Sequence, residues 1–426
     1  MHCILTSRWY NEITKIYGSG RDDPEREAEM LTLEMIWQAR EALAGIARKT
    51  PLEQAPGIGE GIYIKNENLQ LTGSFKLRGA YNKIRTMTEE EKSHGVIACS
   101  AGNHAQGIAL SATKQGIRSI ICMPAGAPLA KVEATRNYGA EVVLVPGVYD
   151  DAAAEAARLT EEHGYTFAHP FNDAAVMAGQ GTIGLEILEQ LPDVDQVIVP
   201  IGGGGLICGV AFAIKHLKPS CRVIGVEAAG AASMYASRQA GEPVQLDSVS
   251  TIADGIAVKK PGDLTFELCQ QYVDEIVTVT EDEIASAILK LLESQKTVAE
   301  GAGATTVAAA MFGKVDVSKG KTVCVVSGGN VDVTTLSRVI TKGLSKAGRL
   351  AHLTTKVVDK PGNLLQLLKI VGDSGANIVS IDHTREDQHS DVSACIVSMV
   401  LETRDPKHVA DIKAALKSAG YALIGK

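Results

Sequence analysis

Six short runs of this chain are apolar at nearly every position: "VIACS" (96–100), "SIICMP" (119–124), "EVVLVP" (141–146), "QVIVPI" (196–201), "RVIGVEA" (222–228) and "TVCVVS" (322–327). A strand with one wet face alternates polar and apolar residues; a strand covered on both faces does not. Helical patterns such as "HAQGIALSATKQG" and "DDAAAEAARLTEEHG" fall between the runs. Strand and helix in alternation predict a mostly parallel α/β sheet, or two of them. A helix is predicted to open near Leu31, in "LTLEMIWQAREALAGIA", and to stop at Pro51.

Three of the runs lead into small or glycine-rich loops, "SAGNHAQG", "GGGGLICG" and "SGGN". Ligands of open α/β sheets sit outside the carboxyl ends of the strands. One glycine loop after a strand is usually a turn, but three of this type could face a single crevice.

Composition narrows the function. The net charge of -8 gives no basic surface for nucleic acid or membrane. Aromatic residues are only 4%, too few for base-stacking platforms. No apolar run is long enough to span a bilayer. The cysteines are scattered, form no CxxC pair and lie partly inside the apolar runs, as reduced thiols of a cytoplasmic protein would. Residues 1–30 lack the pattern of a signal peptide and read as an extension of unknown role.

Gly202, Gly203, Gly204 and Gly205 leave consecutive backbone N–H groups uncovered just before a helix, a setting that suits a phosphate. No Lys-Ser/Thr follows, so this is not a P-loop, and the dinucleotide fingerprint is also missing. Lys76, in "LTGSFKLRGA", lies in small and apolar company. Desolvation lowers the pKa of a lysine and frees its amine for a Schiff base. Phosphate site and imine-forming lysine together point to pyridoxal phosphate.

"GSFKLRGA", "SAGNHAQG", "AGQGTIGLEI", "GGGGL" and "SGGN", in this order, resemble the threonine dehydratases (threonine ammonia-lyases) of the tryptophan-synthase-β-like class. The likeness covers roughly residues 31–340. It implies the two-lobed, mostly parallel α/β fold of type II pyridoxal-phosphate enzymes, with a catalytic domain over 31–345 and a smaller lobe near 95–172. It also implies a role for each motif residue. Lys76 carries the cofactor and takes the substrate's Cα proton. Asn103 bonds the pyridine hydroxyl. Gly202 to Gly205 and Leu206 cradle the phosphate, and Ser327 faces the pyridine nitrogen. Ser100, Ala101, Gly102 and His104 receive the substrate carboxylate. The implied reaction is β-elimination of water from L-threonine, and from L-serine, in amino-acid metabolism that includes isoleucine biosynthesis. The class suggests a homodimer or homotetramer.

Two rival readings differ at identifiable positions. Serine racemases carry "SSGN" in the first loop, where this chain has Ala101. Their divalent site begins at a glutamate that matches Glu227, but Ser233 stands where a second carboxylate is expected, so no metal is predicted. A 3-hydroxyaspartate dehydratase is a further relative. A non-catalytic amino-acid sensor would not need Lys76 and the glycine loop. Glu227 alone is also readable as a polar cap on a strand end.

The pattern changes beyond Val331. "DVTTLSRVITKGLSKAG" is an amphipathic helix with Leu336, Val339, Ile340 and Leu344 on one face. Residues 350–426 then read βαββαβ, a ferredoxin-like α+β unit. With "DKPGNL" after its first strand, this unit resembles an ACT regulatory domain. Asp359, Pro361, Gly362, Asn363 and Leu364 are the expected effector-binding residues, with isoleucine or valine as the expected ligand. Leu364, Leu368 and Val371 are predicted to pack on the sheet.

Overall fold

The structure is a computed structural model that describes residues 30–385 and 393–424. Except for Met30, the predicted N-terminal extension lies outside them. The strands are β1 (Leu52–Gln54), β2 (Ile62–Asn66), β3 (Val96–Cys99), β4 (Ser119–Pro124), β5 (Glu141–Val145), β6 (Thr166–Phe167) and β7 (Gln196–Pro200). They continue with β8 (Arg222–Ala228), β9 (Glu275–Val279), β10 (Thr322–Val326), β11 (Leu350–Val358), β12 (Asn377–Thr384), β13 (Ala394–Glu402) and β14 (Leu423–Ile424).

A six-stranded sheet has the order β1-β2-β10-β7-β8-β9 and is parallel except for β1. Its apolar strands divide their side chains between two cores. Val197, Val199, Val223, Val323 and Val325 join Ile207 and Val210 on one side. Ile198, Ile224, Val226, Cys324 and Val326 join Ile288 and Val307 on the other. A strand with period-two geometry therefore needs an apolar residue at every position here. A second, fully parallel sheet, β5-β4-β3-β6, carries its own helices. All six predicted runs are strands. β1, β2, β6 and β9 are additional to them, being short or mixed in polarity.

The first helix spans Leu33–Leu43 and ends well before Pro51. Ala44 is extended and Gly45 has φ +75°, so the glycine turns the chain first. The "AGQGTIGLEI" motif lies within helix Ala174–Gln190. A Cβ on its Gly179 would meet the Arg78 carbonyl oxygen at 2.4 Å, and one on Gly181 would meet the Gly209 carbonyl oxygen at 3.0 Å. These glycines let one central helix touch both the Lys76–Thr86 helix and the Gly205–Leu217 helix at backbone distance. The motif is thus a packing device that holds two parts of the site together.

Residues beyond 350 form a four-stranded antiparallel sheet, β12-β13-β11-β14, with the ferredoxin-like order. Helices Asn363–Asp373 and Pro406–Ser418 bury Leu367, Val371, Ile412 and Leu416 against it. Leu364 and Leu368 join Val371 on that face as expected, and Leu367 is its buried centre.

Candidate active site

The three loops and Lys76 meet in one place. Phe75 donates its N–H to the Ser327 carbonyl at 3.1 Å, and Gly329 donates to the Gly73 carbonyl at 2.9 Å. Asn330 Nδ2 donates to the Thr72 carbonyl at 2.7 Å. "GSFK" and "SGGN", about 250 residues apart in the chain, are therefore laced backbone to backbone. Lys76 opens its helix with Nζ donating to the Pro170 carbonyl at 2.8 Å. Desolvation pulls its pKa down to about 8, against a smaller opposing pull from the Glu300 carboxylate. A cation without a directly bonded carboxylate, in a dry setting, gives up its proton readily.

The glycine loop follows β7. Gly204 has φ +98°, which disfavours a side chain, and a Cβ on Gly203 would lie 2.3 Å from the Phe171 ring. Gly202 and Gly205 are less tightly closed, by Ile256 at 3.0 Å and by Phe171 at 2.8 Å. Leu206 is buried in the first turn of the helix. Thr265 Oγ1 donates to the Gly203 carbonyl at 2.6 Å and fixes the loop from behind. The result is a packed cradle with N–H groups at a helix N-terminus, a fit for a phosphate ester. Ser327, buried, follows β10, which pairs directly with β7.

After β3, Gly102 donates to Ser100 Oγ at 3.2 Å, and Asn103 and His104 start the helix Asn103–Lys114. His104 Nε2 lies 2.9 Å from the Ala168 carbonyl, which can only accept, so this nitrogen carries the hydrogen. Burial, with Lys76 nearby, drives the ring's pKa down to about 3. The imidazole is neutral and turned to the small lobe, so what His104 offers a carboxylate is its backbone N–H. Ala101 is half-buried and has no polar side-chain atom.

One residue of this site was invisible to motif reading. Glu300 is buried and accepts from Asn103 Nδ2 at 2.7 Å, while Asn103 Oδ1 accepts from Asn330 at 2.8 Å. Burial pushes the Glu300 carboxyl up to about 7, against the opposing pull of the Asn103 bond. Its local sequence, "AEGAGA", reads as a helix start only.

Glu227 is also placed. It lies within β8 near its end, and its carboxylate accepts from the N–H groups of Met234 and Tyr235 at 2.9 and 2.7 Å. The capped element is the helix Ser233–Ala240 rather than the strand. Desolvation pushes this carboxyl up to about 8, against these two bonds. The expected effector residues of the C-terminal unit lie apart from this site, at the turn between β11 and its helix. Asp359 pairs with Arg385, and Pro361 leads into Gly362, which caps the helix opened by Asn363 and Leu364.

Comparison with known proteins agrees with this geometry. Residues 43–329 match the family of pyridoxal-phosphate dependent enzymes, and the chain belongs to that family. The chain is 52% identical to an L-threonine ammonia-lyase of Thermotoga maritima, over 92% of this chain and 98% of that protein. It is 47% identical to the L-threonine dehydratase catabolic TdcB of Escherichia coli K12, over 72% of this chain and 96% of that one. Among solved structures, threonine deaminase isoform 2 of Solanum lycopersicum superposes with a TM-score of 0.69 at 38% identity, covering 76% of this chain and 90% of that one. A maize serine racemase superposes with the same TM-score at 36% identity, covering 74% and 98%.

Proposed function

We infer that the chain catalyses the L-threonine ammonia-lyase reaction, converting L-threonine to 2-oxobutanoate and ammonia and L-serine to pyruvate and ammonia. The observation that carries this reading is Lys76, a lysine of depressed pKa where the "SGGN" loop meets its own helix. Pyridoxal phosphate, when bound, supplies the electron sink that acidifies the substrate Cα. The residues present fit it. The closed glycine cradle suits its phosphate, Asn103 its ring hydroxyl and Ser327 its ring nitrogen.

The amine of Lys76 accepts the Cα proton. The backbone N–H groups of Ala101 and His104 orient the substrate carboxylate at a helix N-terminus, in the loop that Ser100 and Gly102 shape. Ser327 offers a hydroxyl where a carboxylate would hold the ring nitrogen protonated, and a weaker sink favours loss of the β-hydroxyl over reprotonation. Threonine and serine differ by one methyl, which a pocket discriminates by only about 1–3 kcal/mol, so both are turned over.

The test is a visible absorption band of the protein-bound imine together with a keto-acid assay on threonine and serine. A protein that shows neither is a sensor, and the reading fails. Serine racemisation is the alternative that one residue addresses. Ala101→Ser restores a hydroxyl opposite Lys76 and is expected to raise D-serine formation from a negligible level. No D-serine from a variant that still eliminates water would show that Ala101 is not the block.

The domain reading belongs to the same proposal: a catalytic domain over 31–345 and an ACT domain over 350–426, in a cytoplasmic homo-oligomer. The Asn363 N–H is taken by the Lys360 carbonyl, and the next N–H groups of the first helical turn, those of Leu364 and Leu365, suit an amino-acid carboxylate. Regulation requires the effector to bind two activity states unequally. Threonine saturation curves unmoved by isoleucine and valine, in full-length and truncated enzyme alike, would remove that role.

A further inference from the structure

We propose that the C-terminal unit holds a zinc ion between Asp359, His383 and Cys395, at a site separate from the catalytic centre. The three come from different segments, and strand register brings them together. Asp359 extends β11, since its N–H donates to the Ser393 carbonyl at 2.9 Å. Cys395 pairs across from Val357 in β11, and His383 pairs across from Val397, two residues along β13 from Cys395. Two-residue alternation therefore puts all three side chains on one face of the sheet.

The carboxylate oxygen, ring nitrogen and thiol sulfur lie within 4.8 Å of one another. Zinc bonds of about 2.0–2.3 Å place tetrahedral ligand atoms about 3.5 Å apart, so closure requires a shift on the order of 1 Å. The two ligands on the accessible side can supply it, because Asp359 is exposed and His383 half-buried while Cys395 is fixed in the core. Among the described residues nothing hydrogen-bonds to the His383 ring. Asp359 is already occupied, by Arg385 at 2.8 Å, but that arginine is 65% exposed. An exposed pair of this kind contributes at most about 1 kcal/mol, and a divalent ion displaces it.

The donor set selects the metal. One thiolate, one imidazole and one carboxylate suit zinc, and exclude magnesium and calcium, which take oxygen ligands. Coordination replaces the thiol proton, which leaves to solvent. Three protein ligands leave the fourth tetrahedral position to water or a small anion. Asp359 leads directly into the turn Lys360–Gly362, where the effector is expected, so the ion would tie β11, β12 and β13 together beside that turn.

The test uses the full-length holoenzyme, stripped with chelator and then given one equivalent of zinc before gel filtration and metal analysis. One zinc ion retained per chain is expected, falling at least tenfold in both His383→Ala and Cys395→Ser. His383 is half-buried on an edge strand, so its variant should keep the fold if the cysteine variant does not; thermal melting of each checks this. Cobalt in place of zinc is expected to give a near-ultraviolet thiolate charge-transfer band that Cys395→Ser abolishes. Wild-type protein that retains no zinc, or a folded variant that retains as much as wild type, overturns the proposal. The second outcome would mean uptake elsewhere on the chain.

Discussion

Lys76 and Arg78 are two residues apart on one helical turn and occupy opposite electrostatic worlds. Arg78 is buried, with its guanidinium on Glu67 at 2.8 Å and Glu186 at 2.6 Å, and also on Thr182. Burial alone would lower its pKa, but the two carboxylates outweigh that and raise it. Glu186 also holds Lys65, whose pKa burial still lowers. Lys76 hydrogen-bonds to the Pro170 carbonyl and lies 5.3 Å from the Phe75 ring centroid, with no carboxylate bonded to it. The same short helix therefore carries a cation locked in its charged form and a cation prepared to lose it. Proximity in sequence says little about a cation's role; the partner decides. Arg78 fixes the helix to the Glu186-bearing central helix, and this anchor keeps Lys76 where the loops converge.

The sharpest break in that comparison is Lys76→Ala. Without an amine to bind the cofactor and accept the Cα proton, threonine turnover is expected to fall by at least about 100-fold, with the imine band lost. Activity above a hundredth of wild type would sink the assignment of Lys76. Stability should hardly suffer, since the lysine is a desolvated cation with no paired carboxylate.

Arg78→Met should do the reverse. Removing one partner of a buried ion network strands the remaining charges and costs about 3–5 kcal/mol. Glu67 is the residue most affected: burial pushes its carboxyl up, and only Arg78 together with Lys65 and Thr50 outweighs that and holds it low. Denaturant unfolding should show the loss. The refolded fraction should still bind the cofactor and turn over threonine. Loss of chemistry with unchanged stability would place Arg78 in the reaction itself and dissolve the contrast.

A smaller effect follows from pH. Lys76 in the cofactor-free fold has a pKa of about 8, below the ordinary lysine value of 10.5. Between those values the unfolded chain holds the proton more than the folded one does, so stability rises with pH. The penalty is full below pH 8 and disappears as pH passes 10.5. Cofactor-free Lys76→Met should therefore exceed wild type in stability at neutral pH, with the gap narrowing as pH rises. A gap that does not change with pH would mean that Lys76 is not desolvated.

Much of this was legible in the chain because the constraints were local. A strand covered on both faces must be apolar throughout, so β3, β4, β7, β8 and β10 declare themselves. Gly203 and Gly204 declare a cradle because no other residue fits there. The early helix end at Gly45 is hard to read because Pro51, six residues on, is the stronger local stop signal. β2 was missed because "IYIKN" hides a buried lysine, Lys65, whose partner Glu186 lies far along the chain. Glu300 was missed for the same reason. Its carboxylate has meaning only against Asn103, some two hundred residues away, and no run of sequence holds both. Local patterns reveal backbone requirements, whereas buried charge pairing is a property of the assembled fold.

Glu300 provides the finest test of how a carboxylate near Lys76 differs from those around Arg78. Glu67 and Glu186 sit on a cation, whereas Glu300 accepts from an amide and is pushed up by burial to about 7. Above that pH it is ionised and accepts from Asn103 as a charge-assisted partner, roughly twice as strong as a neutral one. Below it the carboxyl takes a proton and the bond weakens, which loosens Asn103, the residue proposed to meet the cofactor's ring hydroxyl. Glu300→Gln keeps an acceptor oxygen at the same place without a charge. A change of one hydrogen bond from charged to neutral is worth about 1 kcal/mol, so turnover at pH 8 should drop only several-fold. The informative readout is the cofactor absorption band across pH 6 to 8. In wild type it is expected to shift with a midpoint near 7, and in Glu300→Gln to stay at its low-pH position throughout. A shift that persists in the variant with the same midpoint would assign the titration to another group and leave Glu300 as packing alone.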